Sequence, residues 1–217
     1  QILEQDFMIQ TENNYELGGI SIGLAMNSVD YYTAGDKDAE QEISNEEMLK
    51  QAHENARKYH LAIRFLKQPA EYLEFEDNSV DVIINRNLTW NLENPTAAYQ
   101  EWYRVLKPSG KLIVFDANWY HYLFSEELCK AYEEDRKNVK RAHLYDHNIG
   151  ANFDQMERIA EQLPMTLTDR PSWDRLELEK IGFQNIQIDT EVYQRVWTEE
   201  EKINYASTPL FEIVATK

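Results

Sequence analysis

The sequence of 217 residues contains little cysteine and no long hydrophobic stretch. Its single cysteine, Cys129, cannot form an internal disulfide, which fits a reducing compartment. No apolar run approaches the length that crosses a membrane, and the N-terminus lacks the basic start and apolar core of a signal peptide. These absences predict a cytoplasmic protein with no membrane partner.

Positive charge is also scarce. The chain has 22 lysine and arginine residues against 39 aspartate and glutamate residues, for a formal net charge of −17. This excess repels the phosphate backbone of nucleic acids and the surface of an anionic membrane. The 42% hydrophobic content argues against disorder, and the length suits one domain spanning residues 1–217. We therefore expect a folded single domain that binds no nucleic acid, while its oligomeric state does not follow from these features.

Glycine is the third residue in short supply, with seven in the whole chain, which is under half of the roughly 7% that is usual. Folds that bind nucleotides commonly place several glycines in one loop, where the backbone approaches the ligand closely. The only dense group here is Gly18–Gly23, and no buried strand is predicted before it. None is predicted before Glu42 either, because residues 36–41 are unsuited to a buried sheet position. Residues 1–41 are thus an atypical N-terminal segment.

The rest of the chain has regular α/β patterning. The predicted strands are Ile63–Leu66, Val80–Ile84, Leu112–Phe115, Phe183–Ile188 and Leu210–Ala215. The predicted helices are Ser44–His60, one that begins at Asn94-Pro95, Glu126–Arg141, and Leu176–Ile181 ending at Gly182. This alternation predicts an α/β fold with a Rossmann-like sheet, mostly parallel with an antiparallel last strand, and helices on both faces. Residues 119–175 interrupt the alternation with a helical, aromatic and charged insert.

Three motifs in this region resemble one enzyme family. They read Phe75-Glu76-Asp77-Asn78-Ser79-Val80-Asp81-Val82-Ile83, Asn85-Arg86-Asn87, and Glu101-Trp102-Tyr103-Arg104-Val105-Leu106-Lys107-Pro108-Ser109-Gly110-Lys111-Leu112. In this order they resemble the central block of class I S-adenosylmethionine-dependent methyltransferases, closest to the group called methyltransferase type 11. Residues 43–49 are similar to the start of the helix after the family's second strand, so the resemblance covers about residues 42–115.

The resemblance implies a class I methyltransferase sheet, S-adenosylmethionine as cofactor, and methyl transfer to a small-molecule acceptor. The acceptor would attack the methyl group in line, and positioning supplies much of the rate because the sulfonium is already activated. Residues 119–175 would form a lid or substrate insert. Three alternatives stay open: a pseudo-methyltransferase without catalysis, a nicotinamide oxidoreductase, and a protein-binding module.

Cofactor-binding residues are implied position by position. Glu42, followed by Ile43, matches the family's acidic residue that holds the ribose hydroxyls, although a solvated surface charge is an equal interpretation. Ala70 and Glu71 stand where the family binds adenine, but Pro69 replaces the usual aspartate. The backbone amide of Ala70 could still serve, and Glu71 is either a compensating acceptor or a loop charge.

Further positions lie after the fourth and fifth predicted strands, where ligands bind in open α/β sheets. The matching cofactor residues are Asn85 and Arg86, of which Arg86 could equally pair with nearby acids. An aromatic substrate pocket or simple aromatic packing would account for Trp90, Trp119 and Tyr120. The acid–base or substrate-orienting candidates are Asp116 and His121.

The largest departure from the family is the missing D-x-G-x-G-x-G motif that should end a first strand. Two explanations are open: an N-terminal half that has been rebuilt, or a join across omitted residues near 38–42. Two other features predict no function. His143 and His147 are spaced for one helix face but lack a third ligand motif, so no metal is predicted, and Cys129 is interpreted as a packing residue.

Overall fold

The computed structural model describes residues 9–11, 21–23, 54, 57, 63–64, 68–148 and 153–217. Residues 54 and 57 are helical, and the remainder of the helix predicted over Ser44–His60 lies outside these ranges. The predicted join near 38–42 lies outside them too. No helix among the described residues is long and apolar enough to cross a bilayer.

Within the described residues, seven strands form one sheet in the order β3-β1-β2-β4-β5-β7-β6. The strands are β1 Ile9–Thr11, β2 Ser21–Gly23, β3 Ile63–Arg64, β4 Val80–Arg86, β5 Leu106–Asp116, β6 Gln184–Asp189 and β7 Phe211–Thr216. β2, β4 and β5 run parallel to one another, whereas β7 lies antiparallel between β5 and β6. The predicted α/β class and the antiparallel last strand are therefore confirmed.

The expectation of a mostly parallel sheet fits only loosely. β3 and β6 point the same way as β2, β4 and β5, because each is antiparallel to a strand that is itself reversed. Five of the seven strands thus share a direction, yet only the β2–β4 and β4–β5 pairings are parallel. The sheet is mixed, with reversed strands on both sides of its parallel centre.

No buried strand is predicted before Glu42, yet the structure has two short strands there, β1 and β2. Ser21–Gly23, at the end of the glycine group, is strand β2 and pairs with β4 through Ile22 and Val82. β1 lies antiparallel on its other side. The hydrogen bonds between strands come from the backbone, so a three-residue strand needs no run of apolar β-branched residues. A search for apolar runs therefore does not predict it.

Six α-helices and three 3-10 helices complete the described fold. The α-helices are α1 Pro95–Val105, α2 Glu126–Arg141, α3 Phe153–Ala160, α4 Ser172–Ile181, α5 Tyr193–Val196 and α6 Glu199–Asn204. The 3-10 helices are Thr89–Asn91, His121–Phe124 and Pro164–Leu167. The side chain of Asn94 accepts a hydrogen bond from the amide of Ala97 at 3.1 Å and caps α1, as the Asn-Pro pair predicts.

Helix α4 ends where predicted but begins four positions earlier, at Ser172. Gly182 follows it with φ 118°, a left-handed conformation that favours glycine. A Cβ at this position would also lie 3.1 Å from the hydroxyl of Tyr103 on α1. The glycine therefore both stops the helix and allows the close approach of α1.

Two hydrophobic clusters cover the two faces of the sheet. On one face, strand residues such as Leu112 and Ile213 are fully buried beneath Trp102 of α1 and Leu178 of α4. On the opposite face, Phe115 packs against a smaller cluster that contains Trp197, between α5 and α6. Helices therefore lie on both faces, as predicted, and the second cluster lies beside the end of β5.

Candidate ligand site at the carboxyl edge of the sheet

The carboxyl ends of β4 and β5 place two loop segments side by side. The register pairs Asn85 with Val114 and Arg86 with Phe115, so both strands end at the same level. Residues 87–91 follow β4, and residues 117–124 follow β5. This edge is where open α/β sheets bind ligands.

Asn85 has the most unusual surroundings of the predicted cofactor residues. Its side chain is 1% exposed, and neither its amide nitrogen nor its amide oxygen has a hydrogen-bond partner among the described residues. Three polar atoms at every second position after Asn85 are also buried and without a partner among the described residues. They are Asn87 Oδ1, Thr89 Oγ1 and Asn91 Oδ1. Buried polar atoms are normally hydrogen-bonded, so these unpartnered neutral groups suit a polar ligand.

Asp116 ends β5 and is fully buried. Its Oδ2 accepts hydrogen bonds from the backbone amide of Trp90 at 3.0 Å and from Nη1 of Arg170 at 2.6 Å. Its Oδ1 accepts from the amide of Ala117 at 2.9 Å. Burial raises the pKa of the Asp116 carboxyl, although the guanidinium of Arg170 opposes the shift. Three donors already occupy the carboxylate, and this arrangement is suited to fixing the two loop segments in position.

Arg170 is the functional candidate that sequence reasoning missed. Its Nε donates to Asp174 Oδ2 at 2.9 Å and its Nη2 to Asp174 Oδ1 at 2.8 Å, while the hydroxyl of Tyr99 also donates to Oδ1. Burial lowers the pKa of the guanidinium, but attraction by Asp116 and Asp174 outweighs this and raises it. Only the spacing of four between Arg170 and Asp174 hints at this cluster in the sequence.

The structure brings two of the three predicted substrate aromatics together. The ring centroids of Trp90 and Tyr120 lie 5.4 Å apart. Tyr120 also lies 6.0 Å from Tyr122, which stacks on Tyr132 of α2 at 4.0 Å. Burial raises the pKa of Tyr132 to about 12, so its hydroxyl stays protonated at neutral pH.

The third aromatic, Trp119, is placed elsewhere. It packs edge-on against Tyr205 at 5.4 Å on the opposite face of the sheet, in the cluster that contains Trp197. Its indole Nε1 is buried and without a partner among the described residues. The predicted aromatic group is therefore divided, with Trp90 against Tyr120 and Trp119 against Tyr205.

His121 begins the 3-10 helix after β5, and its backbone amide donates to the carbonyl of Asn118 at 3.3 Å. It is half-buried, and its imidazole has no hydrogen-bond partner in the described part of the chain. Of the two predicted acid–base candidates, His121 is thus the one whose side chain makes no hydrogen bond among the described residues.

The other predicted cofactor residues have mixed surroundings. Ala70 is buried, and its carbonyl accepts a hydrogen bond from the indole of Trp102 at 3.0 Å. Glu71 is half-buried. The guanidinium of Arg86 forms an ion pair with Glu201 at 3.5 Å, which agrees with its alternative interpretation as a pairing partner. Glu42 and Ile43 lie outside the described residues.

The histidine pair does not share a helix face, because α2 ends at Arg141 before either residue. His147 contacts the hydroxyl of Tyr205 at 3.0 Å and a carboxylate oxygen of Glu200 at 3.2 Å. Among the described residues, no group of three or more histidine, cysteine or acidic side chains is arranged to hold a metal. Cys129 lies half-buried on α2 as a free thiol.

Comparison with known families gives two matches. A model described as a methyltransferase domain matches residues 42–114, which contain β4, α1 and most of β5. A model described as the CamS sex pheromone cAM373 precursor matches residues 1–72. The two matches overlap over residues 42–72.

Curated relatives include the ubiquinone/menaquinone biosynthesis C-methyltransferase UbiE of Escherichia coli O1:K1 / APEC, 35% identical over 149 residues. The enzyme of the same name from Rickettsia felis is 30% identical over 146 residues. Each alignment covers 65% of this chain and 55% of the relative, so the chain spans about half the length of the curated relatives it matches.

Similar solved structures include phosphoethanolamine N-methyltransferase 2 of Haemonchus contortus, at 15% identity and a TM-score of 0.48 over 79% of this chain and 41% of that chain. A methyltransferase of Thermotoga maritima has 20% identity and a TM-score of 0.44 over 77% of this chain and 70% of that chain. The family match and the curated relatives confirm the resemblance carried by the sequence motifs. Over residues 42–114 the chain is similar to a methyltransferase domain, and its curated relatives are C-methyltransferases.

Proposed function

We propose that the complete protein is an S-adenosylmethionine-dependent methyltransferase that acts on a small-molecule acceptor. The observation that carries the proposal is Asn85, a buried amide without a partner among the described residues, at the carboxyl end of β4. A ligand at this edge would supply the missing hydrogen bonds. The relatives, whose names describe C-methyltransferases, support the same class of reaction.

The residues at this edge fit the polar end of the proposed cofactor. S-adenosylmethionine carries an ammonium group, a carboxylate and hydroxyls, and the amide of Asn85 can both donate and accept. We propose that Asn85 holds the methionine end, and that Ala70 and Glu71 line the adenine side. Glu42 and Ile43 are proposed for the ribose, and Arg86, already paired with Glu201, flanks the site.

The bound cofactor would supply a methyl group activated by the sulfonium. The chain's own task is then to position the acceptor and exclude water. The paired rings of Trp90 and Tyr120 offer an aromatic wall for the acceptor. The imidazole of His121 is proposed to take the proton from the attacking atom, the role of a general base.

Calorimetry on the full-length protein tests the cofactor assignment. We expect S-adenosylmethionine and S-adenosylhomocysteine to bind, and Asn85→Ala to weaken binding about tenfold because two hydrogen-bonding groups are lost. Gln187→Ala, an exposed amide on the edge strand β6, is the matched control and should leave the affinity unchanged. Absence of binding to either ligand would reject the proposal, and binding of a reduced nicotinamide instead would move the protein to the oxidoreductases.

A second candidate is a pseudo-methyltransferase, which is favoured by the absence of a D-x-G-x-G-x-G motif from the sequence. It predicts cofactor binding without turnover. Incubation with methyl-labelled S-adenosylmethionine and a panel of phenols, catechols and amines separates the two. Labelled product identifies the enzyme, whereas binding with no product across the panel favours the pseudo-enzyme.

A further inference from the structure

The buried guanidinium of Arg170 joins two rigid helices to the two loop segments of the candidate site. Its Nε and Nη2 are bound by Asp174 on α4, and Asp174 also accepts from Tyr99 on α1. Tyr99 is fully buried and contacts the rings of Trp102 and Trp173 at 5.4 and 6.0 Å. This half of the guanidinium is therefore anchored in the core.

The other half of the guanidinium points toward the strand ends. Nη1 of Arg170 and the backbone amide of Trp90 donate to the same oxygen of Asp116. That amide belongs to the 3-10 helix Thr89–Asn91, which begins two positions after Asn87. Arg170 thus controls the placement of the segment after β4 through one shared carboxylate oxygen.

The backbone of Arg170 also holds the segment after β5. Its amide donates to Asn118 Oδ1 at 3.2 Å, and its carbonyl accepts from Asn118 Nδ2 at 2.8 Å. Asn118 is followed by Trp119, Tyr120 and His121, the proposed acceptor side of the site. One residue therefore contacts the supports of both segments.

We infer that Arg170 is a positioning residue that, through Asp116, sets the geometry of the 85–91 segment against the 117–121 segment. The test of this inference by ligand binding rests on the proposed function, whereas the test by hydrogen exchange does not. Preorganised side chains bind ligand more tightly because less ordering is required on binding. Loss of the Arg170–Asp116 link is therefore expected to weaken ligand binding while the core stays folded.

Two conservative variants and one control test the inference. Asp116→Asn keeps the shape of the side chain and leaves Arg170 paired with Asp174. Arg170→Lys keeps the positive charge but cannot bridge both carboxylates with a planar fork. The matched control is Arg104→Lys, because Arg104 also binds two carboxylates, Glu101 and Asp77, but near the amino end of β4.

The first measurement is amide hydrogen exchange by NMR with protein labelled at its tryptophan, leucine and valine amides, in which Trp90→Phe identifies the Trp90 signal. Both test variants should accelerate exchange at Trp90 about tenfold more than at the core amides of Leu112 and Val114. A purely structural role would accelerate all three amides together. The control should show no selective effect on Trp90.

The second measurement is the Kd of S-adenosylhomocysteine for the full-length protein. We expect it to rise about tenfold in each test variant, to rise no further in the double variant because both changes break one link, and to stay within about twofold in the control. Test variants that behave like Arg104→Lys in both measurements would overturn the inference. If the unmodified protein binds no S-adenosylhomocysteine, the proposed function fails and the exchange result alone decides. Should Arg170→Lys not fold, Asp116→Asn decides by the same criteria.

Discussion

Arg104 and Arg170 each bind two carboxylates, but they do so at opposite ends of the parallel strands and in different surroundings. The side chain of Arg104 is 34% exposed, whereas that of Arg170 is 0% exposed. Arg104 also donates to the backbone carbonyls of Leu73 and Phe75, so its hydrogen bonds are spread over four partner residues. The guanidinium of Arg170 has no such additional partners, because among the described residues it donates only to Asp116 and Asp174.

The difference shows how surroundings change the role of one residue type. A partly exposed guanidinium can be replaced by water at each partner, so Arg104 joins the loop before β4 to α1 at modest strength. A fully buried guanidinium leaves uncompensated charge when it is removed. Arg170 is therefore expected to influence both stability and the arrangement of the site, and each of the following changes tests one side of this contrast.

The largest effect is expected from Arg170→Met. The substitution fills much of the same volume but leaves two buried carboxylates without their cation, which should cost about 3–5 kcal/mol of unfolding free energy. For a chain of this size the melting temperature should fall by roughly 2–4 °C per kcal/mol. Urea denaturation measures the change, and a loss below about 1 kcal/mol would contradict the assigned burial of the cluster.

Tyr99→Phe sharpens the comparison within the same cluster. It removes one hydrogen bond to Asp174 but leaves the three bonds from Arg170, so about 1.5–3 kcal/mol of unfolding free energy should be lost. Burial and the neighbouring carboxylate raise the pKa of Tyr99, so the lost group is a neutral hydroxyl. Tyr72→Phe, at a side chain that is largely exposed, is the control and should change the free energy of unfolding little.

Arg104→Met should cost only about 1 kcal/mol, since water can reach the partners that it leaves behind. The affinity for S-adenosylhomocysteine should not change. The same urea titration applies, and a loss as large as that of Arg170→Met would show that exposure does not separate the two arginines.

The smallest effect is a difference in pH dependence. The hydrogen bond from Arg104 lowers the pKa of Glu101 below its ordinary value of 4.5, against the effect of burial. The stability contributed by this pair is therefore present above that value and is lost as the pH falls through the lower, folded-state pKa. Urea midpoints between about pH 3 and 6 should show a shallower acid decline in Arg104→Met; an unchanged decline would argue against the shift.

Asp116 should act with the opposite sign. Burial raises its pKa, so the folded state binds this proton more tightly than the unfolded chain does. Its contribution favours the fold at low pH and is lost as the pH rises from the ordinary value of 3.8 through the folded-state pKa. In the same titration, Asp116→Asn should remove this loss, and an unchanged profile would contradict the direction of the shift.

Local chemistry in the sequence predicts much of the described fold. The Asn94 cap, the helix over Glu126–Arg141 and the stop at Gly182 depend on neighbours within a few residues, and the structure places them as expected. The apolar runs around Ile83 and Ile113 likewise predict two adjacent parallel strands. Strand β2 was not predicted, because its position depends on a backbone partner about sixty residues away along the chain, not on its own side chains.

The sequence by itself determined the α/β class, the two loop segments at the carboxyl edge and the family that their motifs resemble. Only the tertiary structure decided what those segments meet: Asp116 is bound by Arg170, which lies 54 positions away, while Trp90 packs against Tyr120 and Trp119 against Tyr205. Helix caps and apolar periodicity act over a few residues, whereas the cost of burying a charge depends on which distant partner the fold brings beside it. The sequence therefore locates the edge of the sheet, and the fold decides which residues there are held in place and which remain available to a ligand.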